Sequence, residues 1–142
     1  MHARRFTSSL LLAAALALTV SCGKTTTPTA PSATPTITDT FNADLSQTGS
    51  ITHNFRVAST GQVTVTLTSV SPLSTMALGV GMMTSNGTSC VTTLTQNDDA
   101  RANSVAALHG TAVAGNYCIR VYDSGNIPIS GTVSYTITVL HP

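Results

Sequence analysis

Apolar and polar residues alternate with a period of two along most of the chain beyond residue 38. β-branched and aromatic residues hold every second position in the three clearest stretches, Gly61–Thr68, Asn116–Asp123 and Ser134–Val139. Such alternation is typical of strands that bury one face in an antiparallel sheet. It predicts that Tyr117 and Tyr135 point inward, and that Arg120 and Tyr122 share an outward face.

Less regular stretches predict five further strands, at Thr40–Leu45, Ile51–Ala58, Met76–Met83, Cys90–Thr95 and Val105–His109. Turn-forming residues separate the strands, and Asn86-Gly87 is the best hairpin turn because both residues tolerate positive φ. No window outside the first 22 residues has a helical period. We therefore expect an all-β fold, an antiparallel and jelly-roll-like β-sandwich of about eight short strands over residues 38–142.

The Met76–Met83 stretch is apolar on both faces, which predicts a central strand. Gly79 and Gly81 would then let a neighbouring segment approach closely. The alternative is an exposed, methionine-rich binding surface.

The first 21 residues have the pattern of an export signal. Arg4 and Arg5 precede an apolar run from Leu10 to Val20. As a helix this run is about 16 Å long, roughly half of a membrane's hydrocarbon core, so it is too short to span one. The pattern favours ordinary secretion over the twin-arginine route.

The segment Leu18-Thr19-Val20-Ser21-Cys22-Gly23 resembles the lipobox of bacterial lipoproteins. The resemblance implies that Cys22 becomes the mature N-terminus and carries acyl chains, palmitate among them, which anchor the protein to a membrane. It also implies a place in the bacterial cell envelope, and Gly23 favours the outer membrane where one exists. The alternative is a plain cleaved signal with an uninvolved cysteine.

Residues 22–37 form a Thr/Pro-rich segment that holds three of the six prolines. Its composition is that of a flexible linker, extended by polyproline II preference to about 3 Å per residue. We expect it to hold the folded domain away from the membrane surface.

Composition limits the possible functions. Of the 142 residues 42% are hydrophobic and only 8% are charged, so the chain supports one globular domain. Six Lys and Arg against five Asp give no basic patch for a nucleic acid. Without Arg4 and Arg5 the net charge is 4 − 5 = −1.

Two cysteines, Cys90 and Cys118, remain after Cys22. Because an exported chain meets an oxidising compartment, we expect a disulfide between them. A redox-active pair is the alternative, although a Cys-x-x-Cys spacing is absent from the sequence.

A second resemblance rests on Ala114-Gly115-Asn116-Tyr117-Cys118-Ile119-Arg120-Val121, followed by Gly131 and Ser134–Val139. These segments resemble the C-terminal half of the bacterial pre-peptidase C-terminal domain, and Phe41–Leu67 resembles its opening. The family implies a β-sandwich accessory module of the kind found on secreted hydrolases. Some members hold calcium near the Phe-containing strand, where this chain has Thr52-His53-Asn54 instead of acidic residues.

Catalytic motifs are lacking. There is no Gly-x-Ser-x-Gly elbow, and His53, His109 and His141 are scattered, so we expect them at the surface or rim of the sandwich. Asn97-Asp98-Asp99 is the only acidic cluster, and we place it in a loop. Asp98 and Asp99 are therefore the candidate ligands for Ca²⁺, although both are also ordinary turn residues.

Carbohydrate recognition by a β-sandwich usually relies on exposed aromatic side chains, and the absence of Trp weakens a sugar-binding interpretation. Tyr122, with Arg120 beside it, is the outward-facing candidate for binding. The sequence thus predicts a non-catalytic, lipid-anchored envelope module that binds or assembles with an envelope protein or a polysaccharide. The alternatives are a structural envelope component without a discrete ligand and a small hydrolase with a novel site.

Overall fold

The computed structural model describes residues 36–103 and 105–142. Within these ranges the chain forms eight strands and no helix, and so nothing helical there could cross a membrane. The strands are β1 (Ile37–Ser46), β2 (Ser50–Val57), β3 (Gly61–Ser71), β4 (Ala77–Ser85), β5 (Cys90–Arg101), β6 (Leu108–Ala112), β7 (Gly115–Tyr122) and β8 (Thr132–His141). The expected all-β sandwich is confirmed.

The strands form two four-stranded antiparallel sheets. The first has the order β1-β8-β3-β6 and the second the order β2-β7-β4-β5. Except for the β4–β5 hairpin, each strand leads into a strand of the other sheet. This eight-stranded, two-sheet arrangement is a jelly roll.

The core lies between the two sheets and is built by the alternating residues that the sequence placed inward. In β8, Val133, Tyr135, Ile137 and Val139 are buried, whereas the residues between them are exposed or half-buried. The largest fully buried side chains come from both sheets: Tyr135, Leu45, Leu67, Leu78, Ile119 and Ile137. Burying each aliphatic side chain stabilises the fold by about 1.5–3 kcal/mol.

β4 is the apolar central strand that the sequence predicted. It lies between β7 and β5, and every residue from Ala77 to Met82 is buried. Met76 and Met82 belong to the core. The alternative of an exposed methionine-rich surface is therefore wrong for these two residues.

Two predicted strands differ most from the observed bounds. β5 continues beyond Thr95 to Arg101, because a register shift between Leu78 and Val80 of β4 lets the strand bend and keep pairing. β6 begins at Leu108 rather than Val105, since the N–H of Ala107 is bonded to the carbonyl of Val65 as a loop contact. Alternation alone could not locate these ends.

The antiparallel order determines which loops meet. The connections after β1, β3, β5 and β7 lie at one end of the sandwich, where the N–H of Thr48 donates to Asp123. β1 begins at the opposite end, and there the N–H of Ala58 donates to the carbonyl of Pro142. The chain thus enters the domain at the end remote from the long β7–β8 loop.

Candidate functional site

The second sheet has a concavity of about 520 Å³ on its outer face. We call it the outer concavity. β4, β5, β7 and the start of the following loop line it with mostly polar residues: Gly81, Met83, Thr93, Gln96, Asp98, Arg120, Tyr122, Asp123 and Ser124.

Glycine in β4 creates the depression. Gly81 is the pairing partner of Arg120 on one side and of Gln96 on the other. Because Gly81 has no side chain, the row across the three strands has a gap between these two residues. The floor of the concavity is therefore backbone, and its walls are the side chains of β5 and β7.

Gly79 has a different role in the same strand. It pairs with Tyr122, and a Cβ added at Gly79 would overlap the tyrosine ring. The missing side chain lets the ring lie against the sheet. This is the close approach that the sequence predicted at the two glycines.

The hydroxyl of Tyr122 donates a hydrogen bond to Asp98 Oδ1 and so bridges β7 to β5 across β4. Burial, this hydrogen bond and the negative charge of Asp98 raise the pKa of Tyr122 to about 12, against an opposing effect of Arg120. The hydroxyl therefore remains a donor at neutral pH, and the tyrosine and the carboxylate have fixed positions in the wall.

Arg120 lies on the same face of β7, with its guanidinium carbon 5.2 Å from the centre of the Tyr122 ring. This cation–π contact holds the head group over the aromatic wall. Among the described residues, the ion pairs are Arg101–Asp99 and His141–Asp39, and neither involves Arg120. Its N–H groups are thus left to interact with solvent or a ligand.

Asp123 builds the rim of the concavity. Its Oδ1 accepts the backbone N–H groups of Gly125, Asn126 and Ile127, and its Oδ2 accepts that of Thr48. Although burial alone would raise the pKa of Asp123, these hydrogen bonds lower it below its ordinary value. The carboxylate therefore holds the β7–β8 loop to the β1–β2 turn.

The structure brings together three of the residues singled out from the sequence: Arg120, Tyr122 and Asp98. It separates Asp99, which lines a different depression and pairs with Arg101 at 2.8 Å. The expected loop at Asn97-Asp98-Asp99 is wrong, because these residues belong to β5. Across the described ranges no three His, Cys, Asp or Glu residues are grouped to hold a metal ion.

Cys90 of β5 is joined to Cys118 of β7, with Cα atoms 6.1 Å apart. Cys118 precedes Arg120 on the same face of β7, and its side chain is fully buried. The pairing expected from the sequence thus fixes β5 against the strand that carries Arg120 and Tyr122.

The three histidines within the described ranges have different environments. His109 is exposed, as expected. His141 is only 2% exposed, and its Nε2 lies 3.1 Å from Asp39, so the expectation of a surface position is wrong. β8 pairs with β1 as far as His141. Because of this pairing the imidazole ring of His141 lies inside the sandwich, beside the ring of Phe55.

His53 is half-buried between the sheets. Its ring stacks on Phe41 at 4.7 Å, and its Nε2 is hydrogen-bonded to the hydroxyl of Tyr135 at 2.7 Å. Burial lowers the pKa of His53 and raises that of Tyr135 to about 12. Both groups are therefore neutral at pH 7, and they close the edge of the sandwich between β1 and β2.

Thr93, Gln96 and Ser124 line the outer concavity but were not predicted from the sequence. They are common polar residues without a motif. Their one sequence signal is an outward position in or beside a strand, which many other residues share. The predicted export signal, Cys22 and most of the predicted linker lie outside the described ranges.

No family model matches the chain, and no curated protein is similar enough to count as a relative. The evidence for the candidate site therefore comes from the structure of this chain alone.

Proposed function

We propose that this protein is a non-catalytic binding module of the bacterial cell envelope that holds its ligand in the outer concavity. The observation that carries the proposal is the convergence of Arg120, Tyr122 and Asp98 in one open, polar depression. Each of the three lies on a strand rather than in a loop, which favours a site that is already formed before a ligand arrives.

Three features favour binding over catalysis. Among the described residues that line the concavity there is neither a histidine nor a cysteine. The hydroxyl of Tyr122 is held protonated by its high pKa. The carboxylates of Asp98 and Asp123 are engaged in hydrogen bonds. These groups suit recognition through fixed donors and acceptors.

The test is binding to isolated envelopes of the source cells. The exported chain would carry Cys22→Ser, so that acyl chains do not contribute. We expect Arg120→Gln to weaken binding about tenfold or more, because a hydrogen bond to a charged group is worth roughly this factor. Gly81→Val should also weaken binding, because its side chain would occupy the floor of the concavity. Arg56→Gln is the matched control, since Arg56 is exposed on β2 of the same sheet. Equal binding by all variants would contradict the proposal.

Attachment to the membrane is a separate part of the proposal. It is supported by the lipobox-like segment that ends at Cys22 and by the Thr/Pro-rich linker after it. Labelled palmitate should enter the wild-type chain and not the Cys22→Ser variant. Equal labelling of both chains, or none of the wild type, would contradict the anchor.

Exposed apolar residues support a second candidate, a structural component that packs against another envelope protein. Leu73, Val105 and Ile129 are 53%, 69% and 84% exposed, and their loops share one end of the sandwich. We expect Ile129→Ser to abolish crosslinking to a neighbouring protein. Val113→Ser is the control because Val113 is 63% exposed at the opposite end. Unchanged crosslinking would contradict this candidate.

A further inference from the structure

We infer that the outer concavity takes a stretch of neutral polysaccharide, an inference that rests on the binding function proposed above. The argument comes from the charges of the wall, from their hydrogen-bonding capacity and from the shape of the depression.

The wall combines a strong donor with strong acceptors. The guanidinium of Arg120 can only donate hydrogen bonds, whereas the carboxylate of Asp98 can only accept them. Asp98 receives the Tyr122 hydroxyl on Oδ1, and no other hydrogen bond to its side chain exists among the described residues. A ligand that binds both Arg120 and Asp98 must accept a hydrogen bond from the guanidinium and donate one to the carboxylate, through groups that lie close together. Neighbouring sugar hydroxyls do both.

The balance of charge argues against ionic ligands. An anionic polymer attracted by Arg120 would meet the carboxylates of Asp98 and Asp123 in the same depression. A cationic polymer attracted by the carboxylates would meet the guanidinium. Asp123 already accepts four backbone N–H groups, and the opposite charges of Arg120 and Asp98 act against each other on a ligand's net charge. Recognition therefore depends on directional hydrogen bonds.

The remaining wall fits the same ligand class. Thr93, Gln96 and Ser124 add hydroxyl and amide groups, which can donate and accept. Met83 supplies a limited apolar surface for the C–H groups of a sugar. Because the concavity is open rather than enclosed, it accommodates a section of a long chain.

The experiment measures depletion of the exported Cys22→Ser chain from solution by insoluble polymers. The neutral set comprises a glucan, a mannan and a galactan. Polygalacturonate is the acidic probe, and chitosan with charged amines is the basic one. We expect at least one neutral polymer to deplete the protein, and neither charged polymer to do so. Arg120→Gln and Asp98→Asn should each weaken this binding about tenfold, and Arg56→Gln should not.

Three outcomes would overturn the inference: no neutral polymer binds, a charged polymer binds more strongly, or Arg120→Gln binds like Arg56→Gln. Thermal unfolding of each variant shows whether its fold is intact. Envelopes treated with protease separate this inference from the proposed function. If binding to envelopes requires Arg120 but disappears after protease treatment, the ligand is a protein, and only the polysaccharide inference fails.

Discussion

The ring of Tyr122 lies against the backbone of Gly79, its pairing partner in the next strand, in space that a Cβ atom would occupy. This contact places the tyrosine hydroxyl on Asp98 and gives Arg120 an aromatic surface on which to rest. One glycine thus positions three residues of the candidate site.

Replacing Gly79 with alanine tests this arrangement. The new methyl group would overlap the ring and displace it, so we expect a loss of about 1–3 kcal/mol in the free energy of unfolding, as for other overpacked sites. Denaturant unfolding measures the loss. Gly81→Ala is the matched control, because its Cβ would lie 3.8 Å from the nearest atoms, an ordinary contact. Equal stability of the two variants would contradict the account.

The disulfide between Cys90 and Cys118 should contribute strongly to stability. The two residues are 28 apart in sequence. In the chain-entropy model, a cross-link that closes a loop of this length lowers the entropy of the unfolded chain and so stabilises the fold by about 3–4 kcal/mol. Replacing both cysteines with alanine should lower the free energy of unfolding by about this amount. Wild-type protein in a strong reductant should resemble the double variant. A wild-type chain with two free thiols after export would contradict the prediction.

Acid should destabilise the fold through His53. Burial lowers its pKa in the folded state, so the unfolded chain binds a proton first as the pH falls. The contribution of neutral His53 to the free energy of unfolding is therefore complete above the ordinary histidine pKa of about 6.5. It declines below that pH until His53 is protonated in the folded state as well. Urea unfolding at pH 7.5 and pH 5 measures the decline.

His53→Gln should remove this part of the pH dependence, while the variant His109→Gln, at an exposed position, should retain it. Both variants retain His141, so a difference between them reports on His53 and His109 alone. The same decline in all three proteins would show that His53 is not the group responsible.

Asp123 should be needed for the loop that forms the rim of the site. Replacement by alanine leaves four backbone N–H groups without their acceptor and should cost about 1–3 kcal/mol. Asp123→Asn should cost less, because its side-chain oxygen can keep the bonds to Gly125, Asn126 and Ile127. Denaturant unfolding again measures both. If asparagine is as damaging as alanine, the negative charge matters more than the acceptor.

Much of the fold was predictable, because alternation identifies which residues of a strand point inward. Tyr117 and Tyr135 are buried, and Arg120 and Tyr122 lie on the outer face, as the pattern required. Alternation does not show which strands become neighbours. The row formed by Arg120, Gly81 and Gln96 depends on the order of β7, β4 and β5, which no local pattern specifies.

The errors have related causes. Asn97-Asp98-Asp99 has the composition of a turn, yet the bulge between β4 and β5 keeps it in a strand. His141 stands next to the last residue of the chain, where fraying is the usual expectation. Its pairing opposite Ile37 and its contact with Asp39 are long-range interactions that the sequence does not reveal.

The most direct test of the central claim is a photo-crosslinking amino acid placed at Gln96 in living cells. Gln96 is an exposed residue of the outer concavity. Gln62, an exposed glutamine of β3 in the other sheet, provides the matched position. We expect a discrete adduct from position 96 that is lost with Arg120→Gln, and none from position 62. Equal adducts from both positions, or adducts at 96 that are insensitive to Arg120, would contradict the claim that this concavity binds the ligand.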